Sequence, residues 1–194
     1  MRKILFIHGL ASSGAYKTTA TLHSLLRPCE VIAPDVPIDP AEALPMLRRL
    51  CDAEQPDLIV GLSLGAFWAQ KLRGWRKVCI NPDLHVSRLL RTMVGEQPYL
   101  SPRRDGATTF LVTPAICDAY EQIEARQFDA FDDLLMPLDE RERALTTGLF
   151  ADHDEIVHCH DEFLLHYPLT THVYPGTHLP TFRELKQYMV EYMV

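Results

Sequence analysis

Short apolar runs alternate along the chain with longer stretches in which apolar residues return every three or four positions. The runs fall at 3–8, 30–33, 57–61, 77–80, 146–150 and 171–174, the length and pattern of strands in a covered sheet. The stretches 16–26, 40–52, 64–73, 82–93 and 180–192 have helical spacing, and several open on Pro or on a capping Ser or Asp. Strand and helix in alternation predict an α/β domain with six mainly parallel strands and helices on both faces.

The alternation breaks at 95–145, which is far longer than an ordinary strand-to-helix connection and has helical spacing of its own at 114–126 and near 128–135. An insertion of that length inside one domain is expected to form a helical cap over the sheet edge. Tyr99, Phe110, Tyr120, Phe128 and Phe131 are its candidates for apolar pocket walls.

Composition narrows the class. A chain of 194 residues, 47% hydrophobic and 23% charged, is sized for a single domain, 1–194, with its own core, and is neither disordered nor fibrous. The formal charge of −7, with Lys and Arg never clustered beyond pairs such as Arg48-Arg49 and Arg103-Arg104, gives no footprint for nucleic acid. The run after Arg2-Lys3 is too short for a signal-peptide core, and none approaches a membrane span. Five cysteines, odd in number and without a C-x-x-C pair, fit reduced thiols in a cytoplasmic protein.

The strongest chemical signal is Gly61-Leu62-Ser63-Leu64-Gly65, placed between the strand 57–61 and the helical stretch 64–73. A serine on such a sharp turn needs neighbours without side chains two positions before and two after, where the turn packs on itself. Gly61 and Gly65 meet that need. The turn lifts the hydroxyl above the sheet edge, and the helix that follows points free N–H groups at the same place, so Leu64 N–H is a candidate oxyanion donor.

With that motif, the sequence resembles the α/β-hydrolase superfamily and, more closely, the compact YqiA/YcfP-like esterase group. The features that carry the resemblance are a first strand closing in His8-Gly9, the Ser63 elbow, Ile80-Asn81-Pro82, Asp154-Glu155-Ile156-Val157 and Gly176-Thr177-His178. The resemblance implies a compact α/β-hydrolase fold with the strand order 2-1-3-4-5-6, and a serine nucleophile whose acid and histidine follow it in chain order. His178, in the loop after the last strand, takes the place of the base; His8 and His23 precede the serine and His172 lies within a strand. Three carboxylates, Asp152, Asp154 and Glu155, compete for the acid. The resemblance favours Asp154, and Ile156-Val157 directly after it supplies an apolar pair to pin its loop, while Asp152 remains the rival. The second oxyanion donor falls on Leu10 N–H in the loop after the first strand, with His8 organising that loop.

Read together, these residues imply hydrolysis of a small carboxylic ester or thioester through an acyl-enzyme, with no cofactor and no metal. Asp152, His153, Asp154, His158, His160 and Asp161 form a tempting metal cluster, but the histidine spacing matches no short zinc signature. Ser12, Ser13, Tyr16, Lys17 and Asn81 are candidates for the pocket rim, each with a capping or turn role as its alternative. Two rival readings stand beside hydrolysis: an acyltransferase of the same fold, and a non-catalytic interaction protein on a hydrolase scaffold.

Overall fold

In the computed structural model, which describes residues 1–194, strands and helices alternate as the pattern predicts. The six-stranded sheet has the order β2-β1-β3-β4-β7-β8, all neighbours parallel. Its members are β1 (Lys3–Ile7), β2 (Glu30–Ile32), β3 (Leu58–Leu62), β4 (Lys77–Ile80), β7 (Thr146–Ala151) and β8 (Thr171–Tyr174). The remaining strands, β5 (Gly95–Pro98) and β6 (Thr109–Val112), form an antiparallel hairpin within the insertion.

Alternate side chains of each strand feed two cores. Leu5, Ile7, Ile59, Cys79 and Phe150 point to a layer shared with α2 (Pro40–Glu54), α3 (Leu64–Lys71), α5 (Pro114–Ala125) and α7 (His160–His166). On the opposite face Ile4, Phe6, Leu58, Val60 and Val78 meet α1 (Lys17–Leu25) and the C-terminal helix. That last helix runs from α8 (Phe182–Glu184) through a π-helical turn (Leu185–Met189) into α9 (Val190–Met193). Covering on both faces is why the central strands read as unbroken apolar runs.

Three features depart from the sequence reading. The helix expected at 82–93 shortens to α4 (Val86–Arg91), because Asn81 turns at φ 45° and Asp83 accepts the His85 N–H at 3.0 Å before the helix can start. No helix forms at 128–135. There Asp132 Oδ1 accepts the N–H groups of Leu134 at 2.9 Å and Met136 at 2.8 Å, a local alternative to helical hydrogen bonding, and a bridge joins Phe131 to Pro137. The β5–β6 hairpin went unread because Gly-Glu-Gln-Pro carries almost no apolar signal. The insertion closes on a short helix, α6 (Glu140–Ala144), whose Glu142 pairs with the buried Lys77 of β4.

Of the insertion aromatics, Tyr99 and Phe110 line a small pocket with Gly9, Leu10 and Leu64, while Tyr120, Phe128 and Phe131 sit elsewhere than the cap reading placed them. Tyr120 is fully buried against Trp68 and Phe67 of α3, with ring centroids 5.5 and 6.2 Å away, and its hydroxyl donates to Ile38 O at 3.1 Å. Phe110 packs on Tyr99 at 4.9 Å, Phe128 stacks on His166 at 3.6 Å, and Phe131 faces solvent. These rings anchor the insertion, and a long apolar segment is held most strongly where its largest side chains leave water.

Candidate active site

The elbow is formed as the glycine spacing requires. Ser63 stands at φ 56° and ψ −119°, a conformation a non-glycine residue holds only where its surroundings fix it. Those surroundings are close: a Cβ on Gly61 would lie 2.3 Å from Gly65 O, and one on Gly65 would lie 2.0 Å from Ile7 O. The Ser63 N–H donates to Ile80 O at 2.9 Å, and its carbonyl accepts from Ala66 at 2.9 Å and Phe67 at 3.1 Å in the first turn of α3. Its hydroxyl makes no cap hydrogen bond.

Leu64 is the first residue of α3, so its N–H has no acceptor within the helix. Across the cleft the Gly9 backbone faces the elbow, the position a Cβ would take there being 3.4 Å from Ser63 Cβ and 4.0 Å from Ser63 Oγ. The Gly9 carbonyl is held twice, by the His8 Nδ1–H at 2.8 Å and by the Ser12 N–H at 3.3 Å. Because a peptide is planar and trans, holding that carbonyl turns the Leu10 N–H of the same peptide the opposite way, and this N–H donates to no backbone acceptor. His8 is itself locked, its Nε2 accepting the Val36 N–H at 3.0 Å. Burial pushes its pKa down to about 4, so the ring is neutral and carries its proton on Nδ1.

His178 lies in the loop after β8, buried, with Nδ1 2.7 Å from Asp154 Oδ2. The other carboxylate oxygen of Asp154 accepts the N–H groups of Ile156 at 2.8 Å and Val157 at 2.9 Å, and only 7% of the Asp154 side chain is exposed. Asp152 does different work. It accepts the Gly176 N–H at 3.0 Å and pairs with His153, which keeps its own carboxyl below the usual range. Glu155 is exposed. The side chains from Asp152 to Asp161 do not converge as metal ligands.

A residue assigned earlier to the rim turns out to be a tie beneath it. Asn81 is fully buried, and its Nδ2 donates to His178 O at 2.8 Å, Tyr174 Oη at 2.8 Å and Thr177 O at 3.3 Å. Its Oδ1 accepts the Ala151 N–H at 2.8 Å. One amide thus joins the ends of β4, β7 and β8 and fixes the backbone of the His178 loop. The Asn-Pro pair after a strand signalled the turn, and asparagine tolerates positive φ, but nothing local announced the long-range bonds.

Ser63 and His178 line the same cleft, of about 360 Å³, together with Leu10 and Ser12. Its walls are apolar: Phe6, Leu62, Leu89, Met93, Ile156 and Leu179, with Leu100 as the contribution of the insertion. Leu100 is seated there by its N–H, which donates to Ala11 O at 2.7 Å. Tyr16 reaches the cleft; Ser13 instead bonds Pro102 O at 2.7 Å and Ser101, and Lys17 lies over the Tyr16 ring. No Lys, Arg, Asp or Glu lines it. No cysteine lines the cleft, and burial pushes Cys51 and Cys79 up to about 12 and Cys159 up to about 11, leaving these three as thiols rather than thiolates.

A parallel sheet of this order, a serine elbow after its third strand and a histidine–carboxylate pair after its last two define the α/β-hydrolase fold. The chain belongs to the uncharacterised protein family UPF0227, whose model matches residues 3–189. Among solved structures it is similar to the monoacylglycerol lipase of Paleococcus ferrophilus, with TM-score 0.62 and 13% identity over 98% of this chain and 94% of that one. It is also similar to the esterase domain of a Rhodothermus marinus protein, with TM-score 0.58 and 16% identity over 95% and 80% of the two chains. The methylesterase MES16 of Arabidopsis gives TM-score 0.56 and 12% identity over 100% and 96%. No curated protein matches by sequence. No helix is long and apolar enough to cross a membrane.

Proposed function

We propose that the protein is a serine hydrolase of uncharged carboxylic esters or thioesters. Ser63 Oγ attacks the acyl carbonyl while His178 Nε2 takes its proton. The imidazolium so formed holds its Nδ1 proton against Asp154, which fixes the tautomer and favours the charge. The carbonyl oxygen becomes an oxyanion facing Leu10 N–H and Leu64 N–H, donors already in place at a helix start and on a clamped peptide. His178 then protonates the departing alcohol or thiol, and a water deprotonated by the same ring releases the acid from Ser63.

The observation that carries this reading is the pairing of an unbonded Ser63 hydroxyl with His178 in one apolar cleft, with Asp154 at 2.7 Å behind the ring. The names of the similar structures, a lipase, an esterase and a methylesterase, support the same class. The test is turnover of p-nitrophenyl esters and acyl thioesters of increasing chain length with Ser63→Ala as blank. Turnover by the wild type and none by the variant is expected; equal rates in both sink the assignment.

A further inference from the structure

α3 begins at the Ser63 elbow and ends at Lys71, which is 8% exposed and has neither a hydrogen bond nor an ion pair. What remains exposed of it opens on two adjoining cavities, of about 440 and 200 Å³, between α2, α3 and the 122–136 stretch. The side chain is buried while its ammonium still reaches solvent, and a cation held so close to the protein interior is normally given a counterion.

The neighbours do not supply it. Arg73 is spent on the carbonyls of Met136 at 2.7 Å and Asp129 at 2.8 Å, and Arg126 on Asp129 at 3.1 Å and Asp133 at 3.2 Å. Asp132 has one oxygen on two backbone N–H groups and the other 3.8 Å from Arg48, a loose pairing. The two cavities are thus lined by four cations, Arg48, Lys71, Arg73 and Arg126, and three carboxylates, Asp52, Asp132 and Asp133. Asp129, on Arg126, brings the carboxylates to four, so the charges balance in number, but of the four cations Lys71 alone has no hydrogen bond and no ion pair. The other walls are apolar, with Leu44, Ile123 and Phe131 on one side and Trp75, Leu134 and Met136 on the other.

We propose that these cavities form a second binding site, for a monocarboxylate with an apolar body, whose carboxylate bridges Lys71 Nζ and the Arg48 guanidinium. A single negative charge meets the one cation that has no partner, and the apolar walls take the rest of the ligand. The site lies at the far end of α3 from the ester cleft and shares no residue with it. Burial pushes the empty Lys71 down to about 8, against the attraction of Asp132 and Asp133 and with Arg73 and Arg48 adding to the shift. Binding therefore weakens as pH rises above that value, where the ammonium is lost.

Benzoate is the probe. Limited acetylation of amines with acetic anhydride at pH 8, read by peptide mass spectrometry, reports Lys71 beside the exposed Lys17 and Lys186. Saturating benzoate is expected to slow labelling of Lys71 by about ten-fold or more and leave Lys17 and Lys186 unchanged. Calorimetric titration is expected to show binding that Lys71→Met and Arg48→Gln each weaken by about ten-fold or more, and that falls at pH 9.5. Lys71 labelling that benzoate does not change, or a Lys71 that takes no label while Lys17 does, overturns the proposal. So does wild-type affinity in Lys71→Met, which puts the ligand elsewhere, and so does protection by inorganic phosphate but not by benzoate. None of these readouts depends on ester turnover.

Discussion

The carboxyl edge of the sheet and the 95–145 insertion meet at one cleft, but the ties that hold the first converge on it and those that hold the second lie away from it. At the edge the constraints are polar and backbone-deep: the strained Ser63, the clamped Gly9 carbonyl, the Asn81 amide across three strand ends, and Asp154 on two N–H groups. The insertion is held over a wider footprint, by burial of Tyr120 and Phe110 and by ties that do not involve the cleft, among them Glu142 on Lys77, Glu124 on Ser87 and Arg73 on two carbonyls, and it touches the cleft through Leu100. The difference separates two kinds of damage. Substitutions of the reacting groups at the edge should cost rate and spare the fold, whereas substitutions of the buried residues of the insertion should cost stability and spare the chemistry.

The largest effect expected is at the acid. Asp154→Asn should lower kcat by about 10⁴ with little change in melting temperature, and Asp152→Asn should remain largely active. Steady-state kinetics on both variants decide between the two carboxylates, and the reverse ranking would break the edge account. In the insertion, Tyr120→Ala should cost about 3–5 kcal/mol of stability by emptying a fully buried site, with kcat of the folded fraction near wild type. Urea denaturation together with kcat under folding conditions tests both halves of that statement.

His8 gives a stability effect at the edge with a defined pH window. The unfolded chain takes up its proton near 6.5 while the folded ring resists to about 4, so its contribution is complete above 6.5 and is lost as pH falls towards 4. The loss amounts to about 3 kcal/mol, and His8→Asn should remove that part of the pH dependence. Denaturation midpoints at pH 7 and pH 4 for both proteins provide the comparison. The smallest effect is expected at Leu100→Ala, a several-fold rise in KM, on the order of 1 kcal/mol, with kcat unchanged. A large fall in kcat there would mean that the insertion takes part in the chemistry.

The same division explains what the sequence made legible. Ser63 and its glycines could be read because the elbow's requirements fall within five residues; the parallel sheet followed from the alternation, and its strand order from the resemblance. His178 and the choice of Asp154 over Asp152 came from chain order, the resemblance and the Ile156-Val157 pair; the ring contact itself closes over 24 residues of chain. Asn81 was legible as a turn but not as a tie, since its partners lie 70 to 97 residues away. The insertion was read least well. Its aromatics find their places through contacts with α3 and α7 that no local pattern encodes, and one carboxylate, Asp132, is enough to replace an expected helix with a turn.

The central claim is that Ser63 is made nucleophilic by His178 held on Asp154. A fluorophosphonate probe tests it most directly, with the adduct mapped by peptide mass spectrometry in the wild type, in His178→Ala and in Asp154→Asn. The account predicts one adduct, on Ser63, formed much more slowly in both variants. An unlabelled wild type, an adduct on another residue, or labelling of Ser63 at the same rate in all three proteins would contradict it.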